Sequence, residues 1–215
     1  MYDPPLHRQT DLAALHALIR ARPLGLLISC GAQGLLANAI PFLVDPTASE
    51  FGTLRAHVAR ANGQWRDLAD AGEALVVFQG PSHYVTPSWY ATKRETGKVV
   101  PTWNYLVVQA RGRPRVIDDA RWLRAHIEAL TRSQETPRDR PWAVDDAPPA
   151  YVEAQIRAIV GVEIEVAAIA GKWKASQNRS AADRDGVAAG LAAEGDGEAL
   201  AMAHAVIAAA REAGS

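Results

Sequence analysis

The chain lacks most of the chemistry that commonly announces a function. Of its 215 residues only Cys30 is a cysteine, so no intramolecular disulfide can form, and its apolar surroundings predict a reduced core thiol. No apolar run approaches the ~18 residues that a membrane span needs. The first residues also lack the charged and apolar segments of a signal peptide. We therefore expect a soluble, cytoplasmic protein without a membrane partner.

Charge and short motifs exclude several further classes. The 23 basic and 24 acidic residues give a formal net charge of −1, so no global positive charge attracts nucleic acid. The six histidines are scattered and no Cys/His set has zinc spacing, so no metal site is expected. A GxSxG elbow and a P-loop are both missing, and the sequence assigns no catalytic residue.

Short apolar runs with turn residues between them make up most of the chain. They predict about six strands interrupted by helices, and the first two runs, LGLLISC and LLANAIPFLV, form a hairpin with both faces covered. The other strands are expected at Gly52–Val58, Leu75–Gln79, Lys98–Arg111 and Val160–Val166. Successive hairpins without a βαβ rhythm predict an antiparallel barrel in a mainly β chain with helices, the α+β class.

The composition changes after Arg179. Ser180–Glu194 and Glu198–Glu212 are rich in alanine, which favours helices, and Gly195-Asp196-Gly197 separates them. The expected organisation is one barrel domain with inserted helices over residues 1–179, and a helical tail over residues 180–215 packed on the same domain.

One stretch, Leu75–Gly112, combines aromatic and polar side chains between two predicted strands. An insertion of this length with many aromatics is typical of a binding loop. Its aromatic rings could wall a flat ligand while its hydroxyl and amide groups bind the ligand's edge. Alternatively, the rings fill a core and the polar groups serve turns. The candidate residues are Ser88, Trp89, Tyr90, Thr102, Trp103, Asn104 and Tyr105.

Two basic segments are candidate anion sites. His57 and Arg60 lie where a predicted strand leads into a helix, and a guanidinium with helix-start amides suits phosphate. The alternative is that Arg60 is a surface charge and His57 a hydrogen-bonded strand residue. The segment KWKASQNR, which contains Lys174, Ser176 and Gln177, offers charges and amides to an anion, or caps the next helix.

These clusters, in this order, resemble the PaiB family of FMN-binding negative transcriptional regulators. The matching segments are TLRAHVARANGQW, ALVVFQGPSHYVTPSWY, GKVVPTWNY, IVGVEIEV and GKWKASQNRSAADRDGV. The resemblance implies a six-stranded antiparallel split barrel, a homodimer, and FMN in a cleft between the two subunits. It also implies that His57 and Arg60 hold the phosphate with Lys174 or Ser176, and that Thr102–Tyr105 lines the ring.

Three functions remain open from the sequence. The chain is an FMN-binding homodimer that acts in regulation, a flavin-dependent oxidoreductase of a small substrate, or an interaction module that has lost its cofactor. Direct DNA binding is doubtful, because no helix-turn-helix pair is recognisable and the basic cluster Arg111–Arg115 is short.

Overall fold

A computed structural model describes residues 1–31 and 34–212. Within them the helices are α1 Leu12–Ala21, α2 Gln64–Asp70, α3 Thr92–Thr96, α4 Ala120–Glu135, α5 Pro149–Arg157, α6 Ala181–Glu194 and α7 Gly197–Glu212. The strands are β1 Arg8–Gln9, β2 Leu24–Gly31, β3 Gly34–Pro41, β4 Leu43–Asp45, β5 Thr53–Ala59, β6 Ala74–Val85, β7 Thr102–Ile117 and β8 Ile159–Lys174. Short 3₁₀ turns occupy Pro5–His7, Pro87–Trp89 and Val144–Asp146.

The strands form one sheet in the order β3-β2-β6-β7-β8-β5-β4, with β1 pairing β8 off this path. The β1–β8, β2–β3, β2–β6, β4–β5 and β5–β8 pairs are antiparallel. The described residues thus contain eight strands where six were expected. The difference comes from β1 and β4, which are two and three residues long.

The chain divides into two compact units. The first unit comprises Met1–Asp11, Gln79–Val108 and Ala170–Ser215, and the second comprises Leu12–Phe78 and Gln109–Ile169. The long strands β6, β7 and β8 each contribute residues to both. The expected division after Arg179 stays a prediction.

The second unit contains the predicted hairpin of β2 and β3, whose register runs from Leu24 opposite Pro41 to Gly31 opposite Gly34. The two turn residues, 32 and 33, lie outside the described residues. Burial alternates along β2, because successive side chains of a strand point to opposite faces. One face of β2 is exposed in the single chain, so the expectation that a helix or a partner covers this second face stays a prediction. The expected burial of Cys30 is wrong, because Cys30 is exposed.

Helices α4 and α5 of the second unit enclose a small apolar core. The side chain of Asp119 caps α4 by accepting a hydrogen bond from the Trp122 amide at 2.7 Å, as its position before the apolar repeat predicts. The buried core residues are Leu123, Val144, Val152 and Ile156. Trp122 packs against them and closes one side of this core.

The first unit is built around the antiparallel helices α6 and α7. Gly195 connects them in the left-handed region with φ 74°, where glycine carries no steric penalty. A Cβ atom at Gly190 would lie 2.4 Å from the ring of Trp89, so the missing side chain lets that ring pack directly on α6. Both helices agree with the sequence prediction to within a residue or two.

Several strand limits differ from the expectation: β8 continues to Lys174 instead of Val166, and β7 continues to Ile117 instead of Arg111. Strand β6 continues to Val85 instead of ending at Gln79, so the connection to β7 begins at residue 86. Strand β7 starts at Thr102 instead of Lys98, because Gly97 adopts φ 67° and Pro101 has no N–H to donate to a ladder.

None of the helices in the described residues is long and apolar enough to cross a membrane.

Candidate functional site

All of the predicted site residues except His57 and Arg60 belong to the first unit. Its most distinctive feature is a lysine–tyrosine cluster, defined here as Tyr2, Thr102, Tyr105, Lys172 and Lys174. Lys172 and Lys174 are separated by one residue on β8, so their side chains point to the same face of this extended strand.

The ammonium groups of this cluster meet aromatic faces and oxygens instead of carboxylates. Lys172 Nζ donates to the Tyr2 carbonyl at 3.2 Å and lies 5.1 Å from the Tyr2 ring and 5.4 Å from the Tyr105 ring. Lys174 Nζ donates to Thr102 Oγ1 and lies 5.9 Å from the Tyr105 ring. Aromatic faces attract cations but carry no compensating charge. In the part of the chain that the structure describes, neither lysine forms an ion pair.

The cluster is therefore a partly desolvated centre of positive charge. Burial lowers the pKa of Lys174, and the neighbouring charges of Lys172 and Arg179 lower it further. Lys172 is only 7% exposed. Each ammonium has three N–H groups and uses one of them on a protein oxygen, which leaves donors for an anionic ligand.

A second polar group in the first unit is the pair formed by Asn104 and Ser176. Asn104 Nδ2 donates to Ser176 Oγ at 2.8 Å, both residues are buried, and Asn104 Oδ1 has no hydrogen-bond partner. Ser176 adopts φ 62°, an unusual and costly backbone conformation for a residue other than glycine. An unpaired buried acceptor beside a strained residue is typical of a binding site.

Strand β7 does not present Thr102–Tyr105 as one surface. Asn104 is fully buried whereas Trp103, its neighbour on the strand, is 56% exposed. Trp103 and Tyr105 therefore point to one face of the strand and Asn104 to the other. Trp103 meets the exposed Tyr84 edge-on with 6.1 Å between ring centroids.

The PSWY segment packs mainly against α6. The Trp89 ring lies against Gly190, and buried Tyr90 carries the Arg179 guanidinium 4.5 Å above its ring. Ser88 Oγ accepts a hydrogen bond from Lys93 Nζ at 3.1 Å. The hydroxyl of Tyr90 is buried and makes no hydrogen bond of good geometry with the described residues, although the neighbouring Arg179 interacts with it; burial raises the pKa of Tyr90 and Arg179 lowers it.

Gln177 holds the turn that follows β8. Its Oε1 accepts from the Ala175 amide at 2.8 Å and from His7 Nδ1 at 3.1 Å, and its Nε2 donates to the Trp173 carbonyl. Both ends of the amide are thus engaged by the protein, and Gln177 fixes the backbone next to Ser176.

In the second unit, the partly buried His57 pairs with the buried His126. Its Nδ1 lies 3.1 Å from His126 Nε2, and the His126 ring stacks on Trp122 at 15° with a centroid distance of 5.2 Å. Burial lowers the pKa of His57. The pKa of His126 falls to about 4, mainly because the ring is buried and further because His57 and Arg55 lie nearby. Both rings are therefore neutral near pH 7.

Arg60 in the same unit is engaged by protein acceptors. Its Nη1 and Nη2 donate to the two carboxylate oxygens of Asp118 at 2.9 and 2.6 Å. Its Nε donates to the Arg157 carbonyl at 2.9 Å and Nη2 to the Ile159 carbonyl at 3.0 Å. Four of its five N–H groups are thus used. The hydrogen bonds to Asp118 raise the pKa of Arg60 and lower that of Asp118.

One member of the lysine–tyrosine cluster, Tyr2, was not expected from the sequence, whereas Lys172 belongs to the predicted KWKASQNR segment. Lys172 stands two residues before Lys174, and this spacing in a strand was the signal that both share a face. Tyr2 is brought to the cluster by the pairing of β1 with β8, in which Arg8 lies opposite Lys172. No local pattern indicates that contact.

The first unit therefore offers cationic donors, aromatic faces, a buried phenol, and a buried amide oxygen that has no hydrogen-bond partner among the described residues. This chemistry suits a phosphorylated ligand with a flat polar ring system, which is the chemistry of FMN.

Comparisons with known proteins agree with this chemistry. The family model described as "Putative FMN-binding domain" matches residues 1–168. An uncharacterized protein of Emericella nidulans is 38% identical over 226 residues, covering 89% of this chain and 90% of its own. The protease synthase and sporulation protein PAI 2 of Bacillus subtilis is 28% identical, covering 85% of each chain.

Solved structures show the same fold at low identity. The FAD and heme binding protein of Mycobacterium smegmatis superposes with a TM-score of 0.56 at 18% identity, covering 86% of this chain and 80% of its own. The flavocytochrome Anf3 of Azotobacter vinelandii gives 0.55 at 14% identity, covering 77% and 68%.

The expected fold class is thus confirmed as an antiparallel split barrel of α+β type, and FMN is confirmed as the cofactor. The chain belongs to the FMN-binding split-barrel family that includes the PaiB-type proteins.

Proposed function

We propose that Lys172 and Lys174 bind the phosphate of FMN. The observation that carries this proposal is a pair of lysines, one buried and one partly buried, with no carboxylate of the described residues in ion-pair contact. Burying two like charges side by side is unfavourable unless an anion joins them. A phosphate ester carries up to two negative charges and several acceptor oxygens, so it satisfies both ammonium groups at once.

The other predicted residues of the first unit are proposed to surround the ring system. Asn104 and Ser176 supply polar atoms, Tyr90 supplies its phenol, and Tyr105 and Trp103 supply aromatic faces. Ser88, Trp89, Thr102 and Gln177 act on the site through its shape, because each already contacts other protein groups. FMN supplies redox chemistry when it is bound; these residues bind it and exclude water around it.

We propose the two lysines in place of His57 and Arg60, whose expected phosphate role is untested and is addressed by substitution of Arg60 below. Arg60 has one free N–H while it holds Asp118, so a strong bidentate contact with phosphate requires it to release that carboxylate. His57 has one ring nitrogen committed to His126.

We further propose that the protein is a homodimer with FMN at the subunit interface. In the second unit, one face of the β2–β3 hairpin is apolar and exposed, with Leu24 62%, Leu26 40% and Leu35 77% exposed. In the first unit, Trp103 and Tyr84 are exposed next to each other. Contiguous apolar surface of this kind is typical of subunit interfaces, and a two-fold axis buries the same patch on both chains.

As to its cellular role, we propose regulation of the PaiB type that acts without sequence-specific DNA binding by the isolated protein. This proposal is supported by the partners of the basic side chains in the two basic clusters. Arg111 and Arg115 on β7 are paired with Glu73 and Glu163, and Lys172 and Lys174 are assigned to the phosphate. The two basic clusters of the sequence therefore have few unassigned charges left to neutralise a DNA backbone. The cytoplasmic location stays a prediction from the sequence.

Titration with FMN and riboflavin tests the cofactor proposal. We expect one FMN per chain, quenching of flavin fluorescence, and much weaker binding of riboflavin, which lacks the phosphate. Equal affinity for the two flavins would contradict the phosphate assignment, and no binding of either would contradict the site.

Light scattering tests the dimer. We expect twice the chain mass of 23.1 kDa for the wild type and a shift towards the monomer for Leu26→Glu or Trp103→Glu. Glu153→Gln, on the exposed side of α5, is the matched surface control.

A mobility-shift assay with competitor DNA at about 150 mM salt tests the regulatory proposal, because discrete bands that survive competition would show direct DNA binding.

A further inference from the structure

Three metal-ligating side chains meet in the first unit, apart from the lysine–tyrosine cluster. His83 lies near the end of β6, Glu194 is the last residue of α6, and Asp196 follows it after the left-handed Gly195. One ring nitrogen and two carboxylate oxygens from these residues lie within 4.8 Å of one another. No sequence pattern indicates this group, because more than a hundred residues separate His83 from the two acids.

The orientation of His83 is fixed by the backbone. Its Nδ1 lies 2.7 Å from the carbonyl oxygen of Tyr84, and because a carbonyl only accepts, Nδ1 carries the proton. The lone pair of a neutral ring is then on Nε2, which faces Glu194 Oε2 at 3.3 Å. Metal-bound histidines commonly have this arrangement, in which the far nitrogen donates to a carbonyl.

Two acceptors that face each other at this distance are joined either by a proton on Nε2, which makes an ordinary ion pair, or by a bound cation. Ligand atoms bound about 2.0–2.1 Å from one tetrahedral zinc ion lie about 3.3 Å apart, which matches the Nε2–Oε2 separation. Asp196 uses Oδ1 to accept from the Ala199 amide at 2.8 Å, and its other oxygen remains for a ligand.

The charges around the group also favour a cation. Glu194 places a carboxylate at the C-terminal end of α6, where the helix dipole disfavours negative charge. Glu198 brings a third carboxylate nearby, with Oε2 3.4 Å from the Ser82 amide. Among the described residues, no lysine or arginine forms an ion pair with Glu194 or Asp196.

We propose that His83, Glu194 and Asp196 form a binding site for a divalent transition-metal cation, with Zn²⁺ as the best match. One imidazole and two carboxylates suit zinc and its neighbours, whereas calcium and magnesium prefer oxygen ligands alone. Three protein ligands leave a position for water. The cation joins β6 to the α6–α7 turn, so binding stabilises the folded first unit.

The test is a zinc titration of the full chain without an affinity tag. Calorimetry should give one Zn²⁺ per chain, and Co²⁺ should quench tryptophan fluorescence, because the Trp89 ring centroid lies 6.3 Å from that of His83. Zinc should also raise the thermal unfolding midpoint. No saturable binding of Zn²⁺ or Co²⁺ would overturn the proposal and leave His83 and Glu194 as an ordinary ion pair.

Three variants locate the cation. His83→Asn keeps a donor for the Tyr84 carbonyl but has no Nε2, Glu194→Gln keeps its shape, and Asp196→Asn keeps the helix cap. Each should weaken zinc at least about tenfold.

The controls are His204→Asn and Asp185→Asn, which remove an exposed histidine and an exposed acid from the same two helices. They should bind zinc as the wild type does, and circular dichroism should show that all five variants are folded. Wild-type affinity in the three ligand variants, or equal losses in the controls, would overturn the site.

Discussion

The two groups of basic side chains expected to bind phosphate differ in how many of their N–H donors already bind protein acceptors. Arg60 in the second unit donates four of its five N–H groups to Asp118 and to backbone carbonyls. Lys172 and Lys174 in the first unit each have one protein oxygen and no carboxylate. A cation whose donors are used by the protein belongs to the fold. A buried cation with unused donors indicates a missing anion.

Removing both lysines should have the largest effect. The double variant Lys172→Met, Lys174→Met loses two charge-assisted hydrogen bonds worth about 1.5–3 kcal/mol each, so FMN affinity should fall at least about 100-fold. Riboflavin affinity should change little. Lys98→Met, which removes an exposed lysine of the same unit, is the control. If both flavins weaken equally, the lysines act on the fold and not on the phosphate.

The fold could be predicted further than the site. Apolar periodicity and turn residues predicted the β2–β3 hairpin, helix α4 with its Asp119 cap, and the α6–α7 pair, because these depend on neighbours in sequence. Strand limits were less predictable, since the length of β6 is set by its pairing with other strands. Cys30 was misassigned because an apolar run does not show whether another element covers its second face.

Within the site, residue types were predictable and contacts were not. The sequence identified Asn104, Ser176 and Lys174 as ligand candidates, but Tyr2 joins Lys172 only through strand pairing. The sequence likewise could not show that Arg60 meets Asp118, because the two are far apart in the chain. Whether a charged side chain is free to bind a ligand therefore depends on partners that are distant in the sequence.

The histidine pair of the second unit should make stability depend on pH. The folded-state pKa of His126 is about 4 and its ordinary value is 6.5, so the unfolded chain binds more protons between these values and stability falls as pH falls. Between about pH 8 and pH 5 the free energy of unfolding should drop by about 2 kcal/mol from this group.

Urea unfolding of the wild type and of His126→Gln measures that dependence. Glutamine places a nitrogen near the position of Nε2, which lies 3.1 Å from His57 Nδ1, but it does not titrate in this range. The variant should lose less stability than the wild type over the same pH interval. His204→Gln, at an exposed position, should follow the wild type. Parallel profiles for the wild type and His126→Gln would contradict the shifted pKa.

Two substitutions of Ser176 separate its hydroxyl from its backbone. Both Ser176→Ala and Ser176→Gly remove the acceptor of Asn104 Nδ2, so both should destabilise the fold. Only glycine adopts φ 62° without a steric penalty, so the glycine variant should be more stable than the alanine variant by about 1 kcal/mol. Thermal or urea unfolding gives the difference. Equal stability would show that the backbone at Ser176 carries no strain.

The substitution Arg60→Ala should change flavin binding least. It tests whether a guanidinium whose donors are used by the protein leaves phosphate binding to the two lysines. Because Arg60 is held by Asp118 and two carbonyls of its own unit, its loss should lower the unfolding midpoint. It should alter the ratio of FMN to riboflavin affinity by less than about threefold. Asp118→Asn is the matched variant, since it weakens the same contact without touching any basic group. If Arg60→Ala weakens FMN tenfold or more while riboflavin and Asp118→Asn are unaffected, Arg60 reaches the phosphate. The rule that a satisfied cation belongs to the fold would then fail for this chain, because the guanidinium must exchange Asp118 for the ligand on binding.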